Sequence, residues 1–231
     1  LEVASGMKAR HPEIQLIVGN VATAEGTRAV IEAGADAVKV GIGPGSICTT
    51  RVVTGVGMPQ FTAVARCAAE AGRYGVPVIA DGGIRHYGDI AKAIGAGAES
   101  VMIGSKFAAV EESPGKTVLL EGRRYREIRG MGSEGAMAEG SADRYGYDIN
   151  TAMQKLVPEG VEGLVAYEGK LSEMTYQMTG SFRASLAYTG YKSVPDMAAN
   201  ARFVELTGSA LKENHPSVHM TKESANYSTG G

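Results

Sequence analysis

The chain has 231 residues, of which 44% are hydrophobic and 21% charged, and this suits one globular domain with a sizeable core. Its net charge of −2 gives no reason to expect nucleic acid or an anionic membrane as a partner, and no apolar run approaches the roughly 20 residues of a membrane helix. Two cysteines make no disulfide framework, so we expect a reducing, cytoplasmic compartment, and four histidines without metal-ligand spacing predict no zinc site.

Residues 1–116 alternate between strand and helix patterns. The chain opens in a helical pattern over 1–8, with no initiating methionine. The predicted elements that follow are strands over 14–18, 37–40, 76–80 and 100–103, separated by helices over 24–33, 59–74 and 88–94. This alternating order predicts parallel strands that are joined by right-handed crossovers.

A weak internal repeat supports the same architecture. Residues 33–38 resemble residues 96–101, and each segment leads into a strand that ends in a loop with glycine and serine. Repeated β/α units are the building blocks of an α/β fold of the TIM (β/α)8 barrel type. Only four such units are visible, and four parallel strands could also form an open sheet, but the loops resemble those of a barrel. Because the chain also opens in mid-helix, we expect it to be the C-terminal half of a larger domain.

The pattern changes from residue 117 onward. Two strand-like runs, 117–120 and 123–128, flank Glu121-Gly122 and predict a hairpin. Segment 130–163 is rich in glycine, serine and charge and lacks sustained periodicity, which predicts a mobile flap. We therefore divide the one domain into β/α units over 1–116, a hairpin and flap over 117–165, and final helices with a tail over 166–231.

A helix is predicted in the last part of the chain, because apolar residues recur there at helical spacing and Gly190 follows them. The methionines of this helix are predicted to pack in a core. The tail over 212–231 is polar and predicted to be extended. The apolar positions of the helix are Leu171, Met174, Met178, Phe182 and Leu186.

The loop over 43–51, with the sequence GPGSICTTR, is the strongest functional signal. It places Cys48 among glycines and hydroxyls at the C-terminal end of a predicted strand, where α/β folds keep their chemistry. A thiolate there could attack an electron-poor carbon. Taken alone, the loop also suits a tight turn around a buried, inert thiol. The second cysteine, Cys67, lies among alanines of a predicted helix and is predicted to be core.

Several residues that follow the predicted strands could bind an anion. Backbone N–H groups and hydroxyls gathered around strand ends form phosphate cradles. Asp81 directly follows a strand, where its carboxylate could accept hydrogen bonds from ribose hydroxyls or could cap a helix. Each of the cradle residues would be an ordinary turn residue by itself; together they indicate a phosphate site. They are Ser46, Gly83, Gly104 and Ser105.

These motifs together resemble the inosine-5′-monophosphate (IMP) dehydrogenase family, in its bacterial form. The resemblance runs in the family's order over essentially the whole chain and implies strands five to eight of the family's TIM barrel. The matching segments are 43–51, 55–57, 59–60, 81–84, 104–105, 129–133, 143–145, 155–160, 221–223 and 226–228.

The resemblance implies an oxidoreductase of guanine nucleotide biosynthesis that converts IMP to XMP with NAD as hydride acceptor. Cys48 would be the nucleophile that forms a covalent purine adduct. Arg144 and Tyr145, assisted by Thr50, would activate the water that hydrolyses this adduct. An arginine is a poor base in water because it holds its proton far above neutral pH, so Arg144 could act only when the closed flap desolvates it or a neighbour shares the proton.

The resemblance also implies a set of substrate and cation contacts. Asp81 would bind the ribose, Met131 and Gly132 would bind the base through backbone N–H groups, and Glu159 would meet its N1 region. The four cradle residues named above would hold the 5′-phosphate. A potassium site is implied as well, with a homotetramer that completes it. Its ligands would be carbonyls of Gly43, Gly45 and Cys48, together with Glu213, Asn214 and His215 of a neighbouring subunit.

Two positions depart from the family pattern. Ile128 replaces a tyrosine that touches the phosphate, which should weaken nucleotide binding modestly. Glu134 is typical of GMP reductase, the sister family, which shares the Cys48 loop. Arg144-Tyr145 and the segment 156–160 instead belong to the dehydrogenase flap. The flap spacer over 146–154 also differs from the usual sequence.

Three hypotheses therefore remain open: an IMP dehydrogenase, a GMP reductase that uses NADPH, and a non-catalytic nucleotide-binding fragment. The family's first four strands, its nicotinamide-side aspartate and its regulatory module have no counterpart in this sequence. A half barrel exposes two open strand edges. We therefore expect the isolated chain to be inactive and prone to aggregation.

Overall fold

The computed structural model describes residues 1–147, 156–219, 221, 224 and 226–227. Within these ranges, four parallel strands form one sheet in the order β1-β2-β3-β4, and three antiparallel strands form a second sheet in the order β5-β6-β7. The strands are β1 Ile17–Val21, β2 Ala37–Val40, β3 Val78–Asp81, β4 Ser100–Met102, β5 Thr117–Leu120, β6 Arg123–Arg129 and β7 Glu162–Ala166.

Helices connect the parallel strands and follow the second sheet. The α-helices are α1 Glu2–Arg10, α2 Ala24–Glu32, α3 Thr50–Val53, α4 Gln60–Ala71, α5 Gly88–Gly95, α6 Ser105–Ala108, α7 Glu134–Ala138, α8 Leu171–Thr189 and α9 Val194–Asn200. Short 3-10 helices occur at Gly72–Tyr74, Ser141–Tyr145 and Ala210–Asn214. None of the helices within the described ranges is long and apolar enough to cross a membrane.

The main core lies between the parallel sheet and the helices α2 and α4. Val38 and Val40 of β2 are fully buried, and they pack in one cluster with Val64 and Cys67 of α4. The Cys67 side chain is fully buried, as predicted, and burial raises the pKa of its thiol. This core fixes the strands so that all four end on the same side of the sheet.

An ion pair ties the two core helices together. Arg28 of α2 donates from Nε to Glu70 Oε1 of α4 at 2.7 Å, and the Glu70 side chain is only 5% exposed. Arg73 adds a second contact at 3.1 Å. The hydrogen bond and the charge of Arg28 lower the pKa of the Glu70 carboxyl.

The predicted first strand, 14–18, is wrong by three residues. The strand is Ile17–Val21, and its pairing begins with Ile17 opposite Ala37. The N–H of Ile14 instead donates to His11 O in a turn, and Ile14 is exposed. The apolar run marks the approach to the strand, whereas hydrogen bonding to β2 sets its bounds.

The hairpin prediction is confirmed, because β5 and β6 pair around Glu121 and Gly122, both at positive φ. Segment 130–163, for which a mobile flap is predicted, contains α7, a 3-10 helix and the start of β7. The last of these adds a third strand by pairing with β6. The tail is not extended throughout, because Ala210–Asn214 form a 3-10 helix.

The predicted long helix is confirmed as α8, which ends at Gly190 with φ 78°. Met174 and Met178 are buried in a second core cluster with Tyr87, Ala109 and Val110. Their packing against α5 and the loop after α6 agrees with the prediction that these methionines are core. Helix α9 had no counterpart in the predicted elements.

Candidate active site

The C-terminal ends of the parallel strands and the flap line an open cavity of about 440 Å³. Strand ends contribute small residues and backbone, while the loop after β2 and the flap contribute the reactive side chains. The residues that line the cavity are Gly19, Asn20, Gly41, Ile42, Gly43, Pro44, Gly45, Cys48, Thr50, Asp81, Gly82, Arg144, Tyr145 and Glu159. Six side chains predicted for catalysis or substrate binding therefore share one cavity.

The thiol of Cys48 is half-buried and held by its own loop. Its Sγ donates to Thr50 Oγ1 at 3.1 Å, and its N–H donates to Gly45 O at 3.2 Å. Thr50 is the first residue of α3, so the loop turns directly into a helix after Cys48. The thiol hydrogen thus has a hydroxyl acceptor beside it, and the sulfur faces the cavity edge rather than the core.

The flap covers the Cys48 loop through a short ladder of backbone hydrogen bonds. Thr49 N–H donates to Glu159 O at 2.9 Å, and Val161 N–H donates to Ile47 O at 3.0 Å. Cys48 and Gly160 face each other in an antiparallel bridge. Glu159 N–H in turn donates to Gly132 O at 2.9 Å. These bonds bring Glu159 to the cavity although 111 residues of sequence separate it from Cys48.

Arg144 and Tyr145 end the 3-10 helix Ser141–Tyr145, which is held to the flap by a hydrogen bond from Ser141 Oγ to Met131 O. Burial raises the pKa of Tyr145, an effect that the positive charge of Arg144 partly opposes. The phenol therefore remains a hydrogen-bond donor at neutral pH. Arg144 is exposed and also lines the cavity.

Gly132 provides the space into which the Tyr145 ring fits. A Cβ atom at Gly132 would lie 2.7 Å from Tyr145 Oη and 3.1 Å from the Glu159 carbonyl carbon. Only glycine fits at this position without a shift of the tyrosine. The predicted role of Gly132 in binding a base through its N–H is compatible with this contact and is not tested by it.

Asp81 is held by one of its two carboxylate oxygens. Oδ2 accepts from the Lys39 ammonium and, at 2.9 Å, from Asn20 Nδ2. No residue that the structure describes donates to Oδ1, so this oxygen is available to a ligand hydroxyl. Lys39 and Asn20 were missed by the sequence reasoning. The available signal was a lysine between Val38 and Val40 in a strand whose neighbours are fully buried.

Asn20 has a defined orientation and a spare acceptor. Its amide nitrogen donates to Gly41 O at 2.8 Å as well as to Asp81. Because both partners are acceptors, Oδ1 must point the other way, and this oxygen is buried without a partner among the described residues. A ligand that carries an N–H or O–H group could satisfy it.

The remaining predicted substrate residues do not line this cavity. Ser46, Gly104 and Met131 are exposed, whereas Gly83 lies near Pro44 and Gln60. Ser105 begins α6, after β4. The C-terminal ends of β3 and β4 are joined by a hydrogen bond, in which Gly82 N–H donates to Met102 O at 3.1 Å.

The two positions that depart from the family pattern also lie outside the cavity. Glu134 is exposed at the start of α7. Ile128 lies in β6 and lines a separate cavity of about 900 Å³.

The predicted potassium ligands fall into two groups. Gly43, Gly45 and Cys48 line the cavity, whereas His215 lies in the tail, where its Nδ1 is 2.9 Å from Tyr227 Oη. Among the described residues, no three His, Cys, Asp or Glu side chains are grouped to hold a metal ion, a finding that does not bear on a site made of carbonyls.

The motif residues Lys155, Lys222, Glu223 and Ser228 lie outside the described residues.

Comparison with known proteins gives a consistent result. The model of the family described as "IMP dehydrogenase / GMP reductase domain" matches residues 1–218. Inosine-5′-monophosphate dehydrogenase of Chlorobaculum tepidum is 54% identical over 99% of this chain and 47% of its own length. That of Escherichia coli K12 is 55% identical over 96% of this chain and 46% of its own length. The chain thus spans about half the length of the curated relatives it matches.

Among solved structures, GMP reductase C318A from Trypanosoma brucei, in complex with guanosine 5′-monophosphate, is similar with a TM-score of 0.86 and 43% identity. The match covers 95% of this chain and 44% of the reductase chain. The parallel sheet with its helices therefore corresponds to part of a TIM barrel, as predicted.

Proposed function

Because the chain belongs to the IMP dehydrogenase / GMP reductase family, we propose that it carries the nucleotide-binding and covalent half of an IMP dehydrogenase active site. The observation that carries this proposal is the shared cavity. Cys48, Asp81 and the pair Arg144-Tyr145 converge there from the loop after β2, from β3 and from the flap. A thiol nucleophile, a carboxylate acceptor and a half-buried phenol are groups that suit the reaction on a purine nucleotide.

In the first half of the reaction, the Cys48 thiolate attacks C2 of the hypoxanthine ring. The Sγ–C2 bond forms, and the hydrogen on C2 leaves as hydride. NAD, when bound, accepts this hydride and so supplies the oxidation. The thiol proton must leave before attack, and Thr50 Oγ1, which accepts the Sγ hydrogen bond at 3.1 Å, is the first acceptor on its path. Asp81 Oδ1 holds the ribose so that C2 meets the sulfur.

In the second half, water attacks C2 and the C2–Sγ bond breaks. This returns the thiol and gives XMP, so that IMP, NAD and water yield XMP, NADH and a proton. Tyr145 keeps its proton because burial raises its pKa, and it can therefore orient the water as a donor. Arg144 serves as the base when closure of the flap removes water from it.

The residues present fit NAD in part. Asn20 Oδ1 is a buried acceptor without a described partner at the end of β1, and it suits a carboxamide or ribose donor. The family's nicotinamide-side aspartate, in contrast, has no counterpart in the sequence. For potassium, the carbonyls of Gly43, Gly45 and Cys48 are hard oxygen donors of the right chemistry. The neighbouring subunit's tail and the homotetramer that would complete this site remain predictions.

The position of Glu134 favours the dehydrogenase over the reductase. A glutamate that helps to release ammonia from a purine has to reach the base, yet Glu134 is exposed on α7 and does not line the Cys48 cavity. Arg144 and Tyr145 do line it. The reductase remains the second candidate because the T. brucei structure shares this fold.

A chimera tests the proposal. In it, this chain replaces the matching half of the C. tepidum enzyme, so that a complete barrel is present. We expect the chimera to form NADH and XMP from IMP and NAD, and Cys48→Ala to abolish both products. Oxidation of NADPH by GMP, without NADH formation from IMP, would establish the reductase instead. Measured in parallel, the isolated chain should aggregate and lack activity, and a monodisperse active chain would contradict that expectation.

A further inference from the structure

Arg51 follows Thr50 in the Cys48 loop, and the proposed reaction gives it no role. Its side chain lies across the loop rather than in the cavity. Nε donates to Ile42 O at 3.2 Å, and Nη2 donates to Met58 O. Ile42 and Met58 are the two points where the loop leaves β2 and approaches α4. One guanidinium therefore connects both ends of a 17-residue segment, 42–58, that contains the nucleophile.

Two glycines make room for this side chain. A Cβ atom at Gly43 or at Gly57 would lie 2.5 Å from Arg51 Cγ, too close for any other residue. Both glycines have positive φ, 79° and 157°. Arg51 is exposed, yet its side chain runs through a slot that is built from the backbone of the two glycines, which is more specific than an arginine resting on a surface.

The charge of Arg51 is directed at carbonyl groups. None of the ion pairs formed by the described residues includes Arg51. Hydrogen bonds from a charged donor are roughly twice as strong as neutral ones, and a planar guanidinium holds two acceptors in a fixed geometry. A lysine ammonium also has several donors, but it lacks this fixed planar geometry and would hold the two carbonyls less firmly.

We propose that Arg51 is a positioning residue that closes segment 42–58 and so holds Cys48 at the cavity. It acts through the loop and does not touch the substrate. The structural part of this inference stands on the hydrogen bonds and the glycine slot alone, and only its effect on turnover rests on the proposed function.

Hydrogen exchange measured by mass spectrometry on the chimera tests the structural part. Arg51→Met should speed exchange of the amides of 42–58 on the order of tenfold or more, because two charge-assisted bonds are lost. Arg51→Lys should give a smaller increase. The matched control is Arg66→Met, which removes an exposed arginine of α4 that makes no hydrogen bond or ion pair within the described ranges.

Two exchange results would overturn the proposal. One is unchanged exchange over 42–58 in Arg51→Met. The other is an increase that is equally large in β2 and β3, which would indicate general destabilisation rather than loss of a local clamp.

Kinetics of the same variants test the catalytic part. Arg51→Met should lower kcat on the order of tenfold while the KM for IMP changes less than about threefold, because the ribose and phosphate contacts are untouched. Added guanidinium at a non-denaturing concentration should restore part of kcat in Arg51→Met and none in Cys48→Ala. A rise in KM with unchanged kcat would overturn the positioning role. If Arg51→Met speeds amide exchange over 42–58 in a chimera that has no activity, the structural role of Arg51 is supported and the proposed function is refuted. The failure of the one is therefore distinguishable from the failure of the other.

Discussion

Replacing Gly132 with alanine should damage the hydrolytic half of the reaction more than the covalent half. A Cβ atom at this position would lie 2.7 Å from Tyr145 Oη, whereas ordinary contacts begin at 3.4 Å, so the phenol must move by about 0.7 Å (3.4 − 2.7). The added Cβ atom has no room towards Glu159 either, because it would lie only 3.1 Å from the carbonyl carbon of that residue. Cys48 and its partner Thr50 do not touch Gly132 and keep their geometry.

The size of the effect follows from this displacement. A misplacement of about 1 Å in a group that orients a reactant can cost on the order of 100-fold. We therefore expect Gly132→Ala to lower steady-state turnover of the chimera by roughly 10- to 100-fold. Rapid mixing of IMP and NAD should still give a first turnover of NADH at close to the original rate, since attack and hydride departure precede the step that needs Tyr145.

The control is Gly163→Ala in β7, where an added Cβ meets no atom within 4 Å. This variant should keep both rates. A Gly132→Ala chimera whose steady-state rate stays within about twofold of the parent would refute the link between the glycine and Tyr145. Equal loss of the burst and of steady-state turnover would refute the assignment of Tyr145 to hydrolysis.

Three further outcomes are expected. Brief treatment with iodoacetamide should modify Cys48 and spare Cys67 in the folded protein, because Cys67 is fully buried and burial raises the pKa of its thiol. Peptide mapping measures the labelling of each cysteine, and equal labelling of the two would contradict the expectation. Lys39→Met should raise the KM for IMP on the order of tenfold with little change in kcat, because Asp81 loses a charge-assisted partner. Steady-state kinetics that show an unchanged KM would refute the role of Lys39 in holding Asp81. The lowered pKa of Glu70 means that its ion pair stabilises the fold above the ordinary glutamate pKa of about 4.3, and that this stabilisation disappears as the pH falls through the lowered value. Urea midpoints measured between about pH 5 and pH 3 should therefore fall less for Glu70→Gln than for the parent, and parallel curves would count against the argument.

Elements with strong local signals could be predicted from the sequence. Helix α8 has apolar residues at helical spacing and a glycine at its end, and the β5-β6 hairpin has Glu121-Gly122 at its turn. Strand β1 was misplaced because its bounds depend on hydrogen bonds to β2, which the apolar run does not encode. Helix α7 was missed because it is short, and it depends on the Ser133 side chain, which accepts a hydrogen bond from Ala136 N–H at its start.

In the site, too, residues with a local sequence signal were predicted, whereas residues whose partners are distant in the sequence were missed. Cys48 and Asp81 were found because each follows a strand at the edge where parallel sheets gather their chemistry. Lys39 was missed because a single lysine in a short strand usually faces solvent, and its partner lies 42 residues further along the chain. Asn20 was missed for a similar reason, since its partner is 61 residues away. Contacts over such separations follow from strand order, which a single sequence indicates only coarsely.

The exposure of side chains varies across the parallel sheet and divides the site residues into two groups. The inner strands β2 and β3 are sealed, with Val38, Val40 and Val78 at most 1% exposed, whereas Ile17 on the β1 edge is 57% exposed and Met102 on the β4 edge is 50% exposed. Cys48 and Asp81 follow or end the two sealed strands, although Asp81 also accepts a hydrogen bond from Asn20 on the exposed β1 edge. Asn20, which we propose for the cofactor side, lies on the exposed β1. Under the proposed function, we therefore expect the nucleotide to be held mainly by residues that follow the sealed strands, and the cofactor to contact the exposed β1 edge.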